Sequence, residues 1–209
     1  QTKQIWVTNV TLTPDNKLVK HRDSTVTKRR QAVQKGPMEL ETEESVIKLL
    51  AKAKLLNRVD VIKTYLNEDV YLISKTQRNH VIYIPDKIYQ LNDKHSFNDL
   101  AFTKHLMLLE GYIQVIGGKD LVQAVRMFAN CRASFIDITL LKSKRLTDLD
   151  GMFYNCNAEI IGLNKLNTSR VVTMREMFEN SQAKSLDLSN FDTHSVSDMT
   201  GMFHNSYAR

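Results

Sequence analysis

The sequence predicts an α/β solenoid of stacked 25-residue coils, each a strand, a bend and a short helix, behind a mixed α+β N-terminal capping region. Three observations carry that expectation. Met-Phe recurs at Met127-Phe128, Met152-Phe153, Met177-Phe178 and Met202-Phe203, at one unvarying spacing of 25 residues. Other columns keep the same register: Asn130, Asn155, Asn180 and Asn205, then Cys131, Cys156, Ser181 and Ser206, then Ala133, Ala158, Ala183 and Ala208. Each repeat also contains two apolar periods, one of two residues and one of three to four. Self-similarity at a fixed period of this length marks a unit that must stack on its neighbours to bury its apolar side.

The elements follow in chain order. Gln4–Leu12 is β-branched and partly alternating, which favours a strand. Pro14-Asp15-Asn16-Lys17 is a turn signal, after which Leu18-Val19 and Thr25-Val26-Thr27 return as a second strand. Residues 1–41 thus form a basic arm with a β-hairpin. From Thr42 to Leu66 the pattern is helical: Thr42, Glu43 and Glu44 supply a cap and acidic charge, and Val46, Leu49, Leu50, Ala53 and Leu56 form an apolar stripe. Val70–Ile73 and Val81–Ile84 read as strands around a Thr76–Asn79 turn. Ser96 with Asp99 resembles a capping box before a helix carrying Leu100, Phe102, Leu106 and Leu109. Residues 42–110 are therefore a mixed α+β cap, and residues 111–209 the repeats, with Ile113, Ile116, Leu121 and Ala124 as a weaker first copy.

Within a repeat, Leu186-Asp187-Leu188-Ser189 alternates as a short strand does, and Val196, Met199, Met202 and Phe203 recur along one helical face. Such a coil is leucine-rich-repeat-like. Stacking would place equivalent residues of adjacent coils roughly 5 Å apart and the Met-Phe pairs in a continuous core. The Asn column is expected to turn inward and bond backbone at the bends, the alternative being a surface Asn ladder that binds a ligand. Cys131 and Cys156 share a column, so they are either free buried thiols or a disulfide between adjacent coils.

Composition narrows the function. The chain has 209 residues, 42% hydrophobic and 25% charged, which excludes wholesale disorder. No apolar run approaches the roughly 18–20 residues of a membrane span. Net charge is +6, and the excess lies in residues 1–40, which hold eight Lys/Arg against three Asp/Glu. No basic start followed by an apolar core of the secretory kind is visible. The six histidines show neither metal-ligand spacing nor a nucleophile partner, and no phosphate-binding glycine loop occurs. Catalytic residues, metal and cofactor are all expected to be none.

The Met-Phe-x-Asn-Cys signature and the segment from Leu186 to Phe203 resemble the BspA-like leucine-rich-repeat family, over about residues 111–209. That resemblance implies bacterial surface proteins and repeats used for adhesion or protein recognition. The leading expectation is a non-enzymatic protein-recognition module, adhesin-like or a partner-binding inhibitor. Its binding strip would be Asp137, Thr139, Asn164, Asp187 and Ser189, at the strand positions opposite the core. The alternative is binding of nucleic acid or a nucleoprotein complex through Lys17, Lys20, Arg22, Lys28, Arg29 and Arg30, as in a phage-encoded inhibitor. The first implies a cell-surface or secreted setting, the second a cytoplasmic one.

Overall fold

The computed structural model describes residues 7–12, 18–23, 38–39, 58–95 and 101–209, in two compact units divided after Val59. In the first unit, β1 (Val7–Leu12) and β2 (Leu18–Asp23) pair antiparallel, from Val7 opposite Asp23 to Leu12 opposite Leu18. A two-residue strand, β3 (Met38–Glu39), lies on the other side of β2. The antiparallel pair matches the sequence expectation; the turn expected at Pro14–Lys17 and the Thr25–Thr27 segment lie outside the described residues.

A six-stranded mixed sheet, in the second unit from Asp60 onward, runs in chain order: β4 (Arg58–Lys63), β5 (Asp69–Thr76), β6 (Asn79–Ile84), β7 (Tyr112–Gly117), β8 (Phe135–Leu141) and β9 (Glu159–Ile161). The β5–β6 hairpin is antiparallel, with Tyr71 opposite Tyr83, and β6 to β9 run parallel. The expected pair of strands around Thr76–Asn79 is therefore present. The helix expected through Leu66 is not: Arg58–Lys63 is a strand, and the stretch of that expectation before Arg58 lies outside the described residues. The local reason is alternation, since Ile62 is buried while Val61 beside it is half exposed.

The strand-bend-helix solenoid is overturned. The described residues hold one α-helix, α1 (Ala101–Leu106), which precedes the repeats, and one 3-10 turn at Leu163–Lys165. No repeat contains an α-helix, and Leu186–Ser189 is not assigned as strand. The three- and four-residue apolar spacing belongs instead to consecutive tight turns, in which Met202, His204 and Ser206 donate their N–H to the carbonyls of Met199, Gly201 and Phe203. Two residues per repeat break any helix. Arg126, Gly151, Glu176 and Gly201 have φ of 51–66°, and Asn130, Asn155, Asn180 and Asn205 have φ of 50–58°. A right-handed helix cannot pass through left-handed residues, so the chain turns at each.

The repeats nevertheless hold a 25-residue register. Single parallel bridges link Gln90 to Gln123, Gln123 to Asp148, Asp148 to Thr173 and Thr173 to Asp198. The rings of Phe128, Phe153, Phe178 and Phe203 stack with centroids 5.6, 5.7 and 5.8 Å apart, at interplanar angles of at most 9°. Met127, Met152 and Met177 are fully buried beside them and Met202 is nearly so. Each ring removed from water contributes roughly 1.5–3 kcal/mol. Cys131 and Cys156 are buried free thiols.

The Asn column is not the inward backbone clamp expected of it. Its constant feature is the left-handed backbone, which Asn tolerates better than most residues. One pair of its amides meets side by side instead: Asn155 Nδ2 donates to Asn130 Oδ1 at 2.8 Å, at an exposed position.

The α1 end of the stack is closed. Phe102 and Leu106 are fully buried in the common core. Asn92 Nδ2 donates to Thr103 Oγ1 (2.9 Å) and to the Val125 carbonyl (2.7 Å), and Thr103 Oγ1 donates to the Arg126 carbonyl. The Val125 carbonyl is the first coil's counterpart of the Asp150 and Arg175 carbonyls that accept from the coil before, so Asn92 takes a bond that a preceding repeat would otherwise make.

Candidate functional site: a charged groove across the coils

Beside the bridge ladder, a groove of about 580 Å³ opens across successive coils. Lys94, Arg126, Asp150, Arg175, Glu176 and Asp198 give it its charge, and Gly151, Thr173 and Ser197 complete its polar lining. The bridges put one residue of each coil in register, so neighbouring charged side chains fall at coil-to-coil spacing. Lys94 bonds Asp148 and lies 3.9 Å from Asp150. Arg175 reaches Asp198 at 3.2 Å, and Arg126 reaches Glu176, two coils on, also at 3.2 Å.

That long reach depends on the residue between them. Gly151 occupies the column that holds Arg126 and Glu176 in the coils on either side. A Cβ there would meet Arg126 Cγ at 3.0 Å, and its φ of +60° suits glycine. The Arg126 guanidinium lies over the Tyr154 ring, 5.0 Å from its centroid, which holds the cation flat against the coil.

The groove fixes its charges from behind. Asp150 Oδ1 accepts from Thr173 Oγ1 and from the Arg175 backbone N–H, and Asp148 Oδ1 accepts from the Asp150 N–H. Burial pushes the Asp150 carboxyl above its ordinary range, with the neighbouring Asp148 charge adding to it and the Thr173 and Arg175 bonds opposing. The Asp148 bond raises the Lys94 ammonium against the opposing effect of burial. Asp198 is held below the ordinary range by bonds from Thr200, with Arg175 adding to them. What this arrangement can do chemically is hold alternating charges at fixed positions along the coils.

The strip expected from sequence sits elsewhere and is largely engaged with itself. Asp137 is 6% exposed; its carboxylate accepts from Tyr112 O–H (2.7 Å) and from the Thr139 N–H (2.9 Å). Thr139 lies under Gly162, whose hypothetical Cβ would stand 2.5 Å from its nitrogen. Asn164, Asp187 and Ser189 do come together: Asn164 Nδ2 donates to Asp187 Oδ2 at 2.8 Å, and Ser189 donates to Asp187 Oδ1 through both Oγ and N. Those Ser189 bonds hold the Asp187 carboxyl low. Of the basic arm, Lys20 and Arg22 fall in β2 opposite Val10 and Thr8. Lys17, Lys28, Arg29 and Arg30 lie outside the described residues.

His194 has partners that inspection of spacing missed. Its Nδ1 is 2.6 Å from Asp192 Oδ1 and its Nε2 is 3.0 Å from Ser195 Oγ. The order is that of a hydrolase triad, but His194 and Asp192 are well exposed, and Ser195 Oγ also lies 3.3 Å from the Ser169 carbonyl. In water these bonds lack the desolvated setting that activates a serine. His80, by contrast, is buried. Its Nε2 is 3.1 Å from the Glu110 carbonyl, which can only accept, so Nε2 carries the proton and Nδ1 accepts from Ser74 Oγ. Among the described residues no cluster of three His, Cys, Asp or Glu could hold a metal ion, and no helix is long and apolar enough to cross a membrane.

Comparison with known proteins places the repeats, not the whole chain. Residues 122–208, under half of the sequence, match a family model described as a Mycoplasma protein of unknown function, DUF285. The repeat segment is thus similar to a bacterial family. No curated protein matches the chain, and no solved structure does.

Proposed function

We propose that the repeat segment is a non-enzymatic surface for recognising another protein, and that the charged groove is its contact. The supporting observation is the groove's preorganisation: Lys94, Arg126 and Arg175 are each anchored to a carboxylate on a ladder of bridged coils. Charges already held in place lose little freedom on binding, which is where such a surface gains over a mobile one. The resemblance of the repeats to the BspA-like family supports the same reading and favours an adhesin-like or partner-binding role.

Capture from a bacterial surface-protein extract tests it, using the full chain, an Arg175→Glu variant and a variant with Lys28, Arg29 and Arg30 all changed to Ala. The expected result is one protein retained by wild type and by the arm variant, with Arg175→Glu weakening retention by roughly tenfold or more. Retention by Arg175→Glu with loss in the arm variant, or retention abolished by nuclease, would replace the groove with the basic arm as the contact.

A further inference from the structure

Each repeat makes one further turn just ahead of its bridge residue. Leu121, Leu146, Val171 and Val196 donate their N–H to the carbonyls of Gly118, Ser143, Thr168 and Thr193. The central pairs of these turns are Lys119-Asp120, Lys144-Arg145, Ser169-Arg170 and His194-Ser195. Thr147 and Val172 donate to the carbonyls of Val122 and Thr147, which keeps the turns in register from coil to coil. Lys142 and Lys165 stand just before the second and third turns. Six cations thus gather at three successive turns against one acid, Asp120, and all six are exposed.

Composition does not explain that excess, because residues 111–209 as a whole hold eleven Lys/Arg and ten Asp/Glu. Nor does the stack need it. Lys119 and Lys144 share one turn column, and Arg145 and Arg170 share the other, at the coil spacing that sets the rings 5.6, 5.7 and 5.8 Å apart. Like charges placed side by side on neighbouring strands are destabilising. Opposite charges meet between coils elsewhere, as Arg145 does with Asp120 at 3.1 Å and Arg175 with Asp198 at 3.2 Å. Lys142, Lys144, Lys165 and Arg170 have no ion pair with any described residue. The neutral side chains among them add donors. Asn167 is exposed, and its Oδ1 accepts from the Ser169 N–H and Oγ at 3.1 and 2.7 Å, so the group it has left to offer is Nδ2.

We propose that this corner binds the phosphate backbone of duplex nucleic acid without regard to base sequence. The inference stands apart from both the groove and the N-terminal arm. A duplex carries one negative charge per roughly 1.7 Å of axis, a density that suits cations crowded onto adjacent coils. Lys, Arg, Asn and Ser are side chains that contact phosphate oxygens. No large exposed hydrophobic residue lies within 117–121, 141–147 or 162–171. The corner therefore offers no ring for an unpaired base to stack on and no apolar wedge for a bilayer.

The test is fluorescence anisotropy with labelled duplexes of about 20 base pairs and unrelated sequence, titrated with the full chain across a range of salt. Changing Lys28, Arg29 and Arg30 to Ala in every sample removes the contribution of the arm. In that background both duplexes should bind alike. The further change Lys142→Gln/Lys144→Gln/Arg170→Gln should weaken binding at low salt by roughly tenfold or more, and lower the slope of log affinity against log salt by about two to three. Should the Gln variant fail to fold, acetylation footprinting of the parent chain decides: the duplex should protect Lys142, Lys144 and Lys165 and leave the exposed Lys184 reactive. Absence of duplex binding, a salt slope unchanged by the Gln variant, or unprotected corner lysines would each overturn the proposal. So would corner-dependent binding to heparin or to anionic phospholipid vesicles but not to the duplex.

Discussion

Replacing Phe153 by Ala tests whether the ring ladder is the mechanical spine of the repeats. The Phe153 ring is fully buried and lies between Phe128 at 5.6 Å and Phe178 at 5.7 Å. Truncation would remove a whole ring from a close-packed column, and its neighbours are tied by backbone bonds on both sides, so the column cannot collapse to fill the space. The upper part of the range for a buried Phe→Ala change applies, about 4–5 kcal/mol. Phe203→Ala is the internal control. That ring is half exposed and has one stacking neighbour, so its loss should cost about 1–2 kcal/mol. At roughly 2–4 °C per kcal/mol, the two variants should melt about 10 °C apart. Urea unfolding of wild type and both variants, followed by circular dichroism, reads the difference directly. Equal losses for the two, or a loss below about 1 kcal/mol for Phe153→Ala, would refute a load shared through stacked rings.

Two further predictions concern the backbone and the buried acids. Asn180→Ala should destabilise by about 1–2 kcal/mol because φ of 54° strains a Cβ-bearing residue without Asn's local bonding, whereas Asn180→Gly should cost less than about 1 kcal/mol; urea midpoints of the pair measure it. Burial, with the adjacent Cys131 adding to it, pushes the Cys156 thiol from 9.0 to about 12, and burial with the Asp137 bond pushes Tyr112 from 10.0 to about 12. Both groups hold their protons more tightly when folded, so the unfolded chain releases them first as pH rises. Their stabilisation is complete below pH 9 and is lost progressively from there towards about pH 12. Urea midpoints should therefore fall steadily above pH 9, and fall less steeply in Cys156→Ser; a flat profile would contradict the burial.

The period of the repeat was fully legible because its columns answer to geometry. Every coil needs a ring at the Phe position to meet the ring above it, and a left-handed residue at the Asn position to turn the chain. The conformation within the period was not legible. Apolar residues three and four apart fit a helix face and a run of tight turns equally well, and the left-handed residue that decides between them is disguised in one column as Arg126, Gly151, Glu176 and Gly201. Only two of those four are glycine, the residue type that advertises positive φ. Likewise the stripe ending at Leu56 was extended into Arg58–Lys63, where β-branched alternation had already taken over.

The groove was hidden for the opposite reason: its columns vary. One runs Gln123, Asp148, Thr173, Asp198, and another Val125, Asp150, Arg175, Thr200. A search for repeated residue types discards such columns as noise. Most of their residues line the groove rather than the ring column, and there the frame sets position and leaves the choice of side chain open. Arg126 and Glu176 meet across an intervening coil only because Gly151 between them has no side chain, a relation two periods long that no single-repeat comparison reveals. On the proposed recognition role, the constant columns are occupied in holding the coils together, so specificity would reside in the columns that change, and the charged ladder from Lys94 to Asp198 is where several of them converge on one surface.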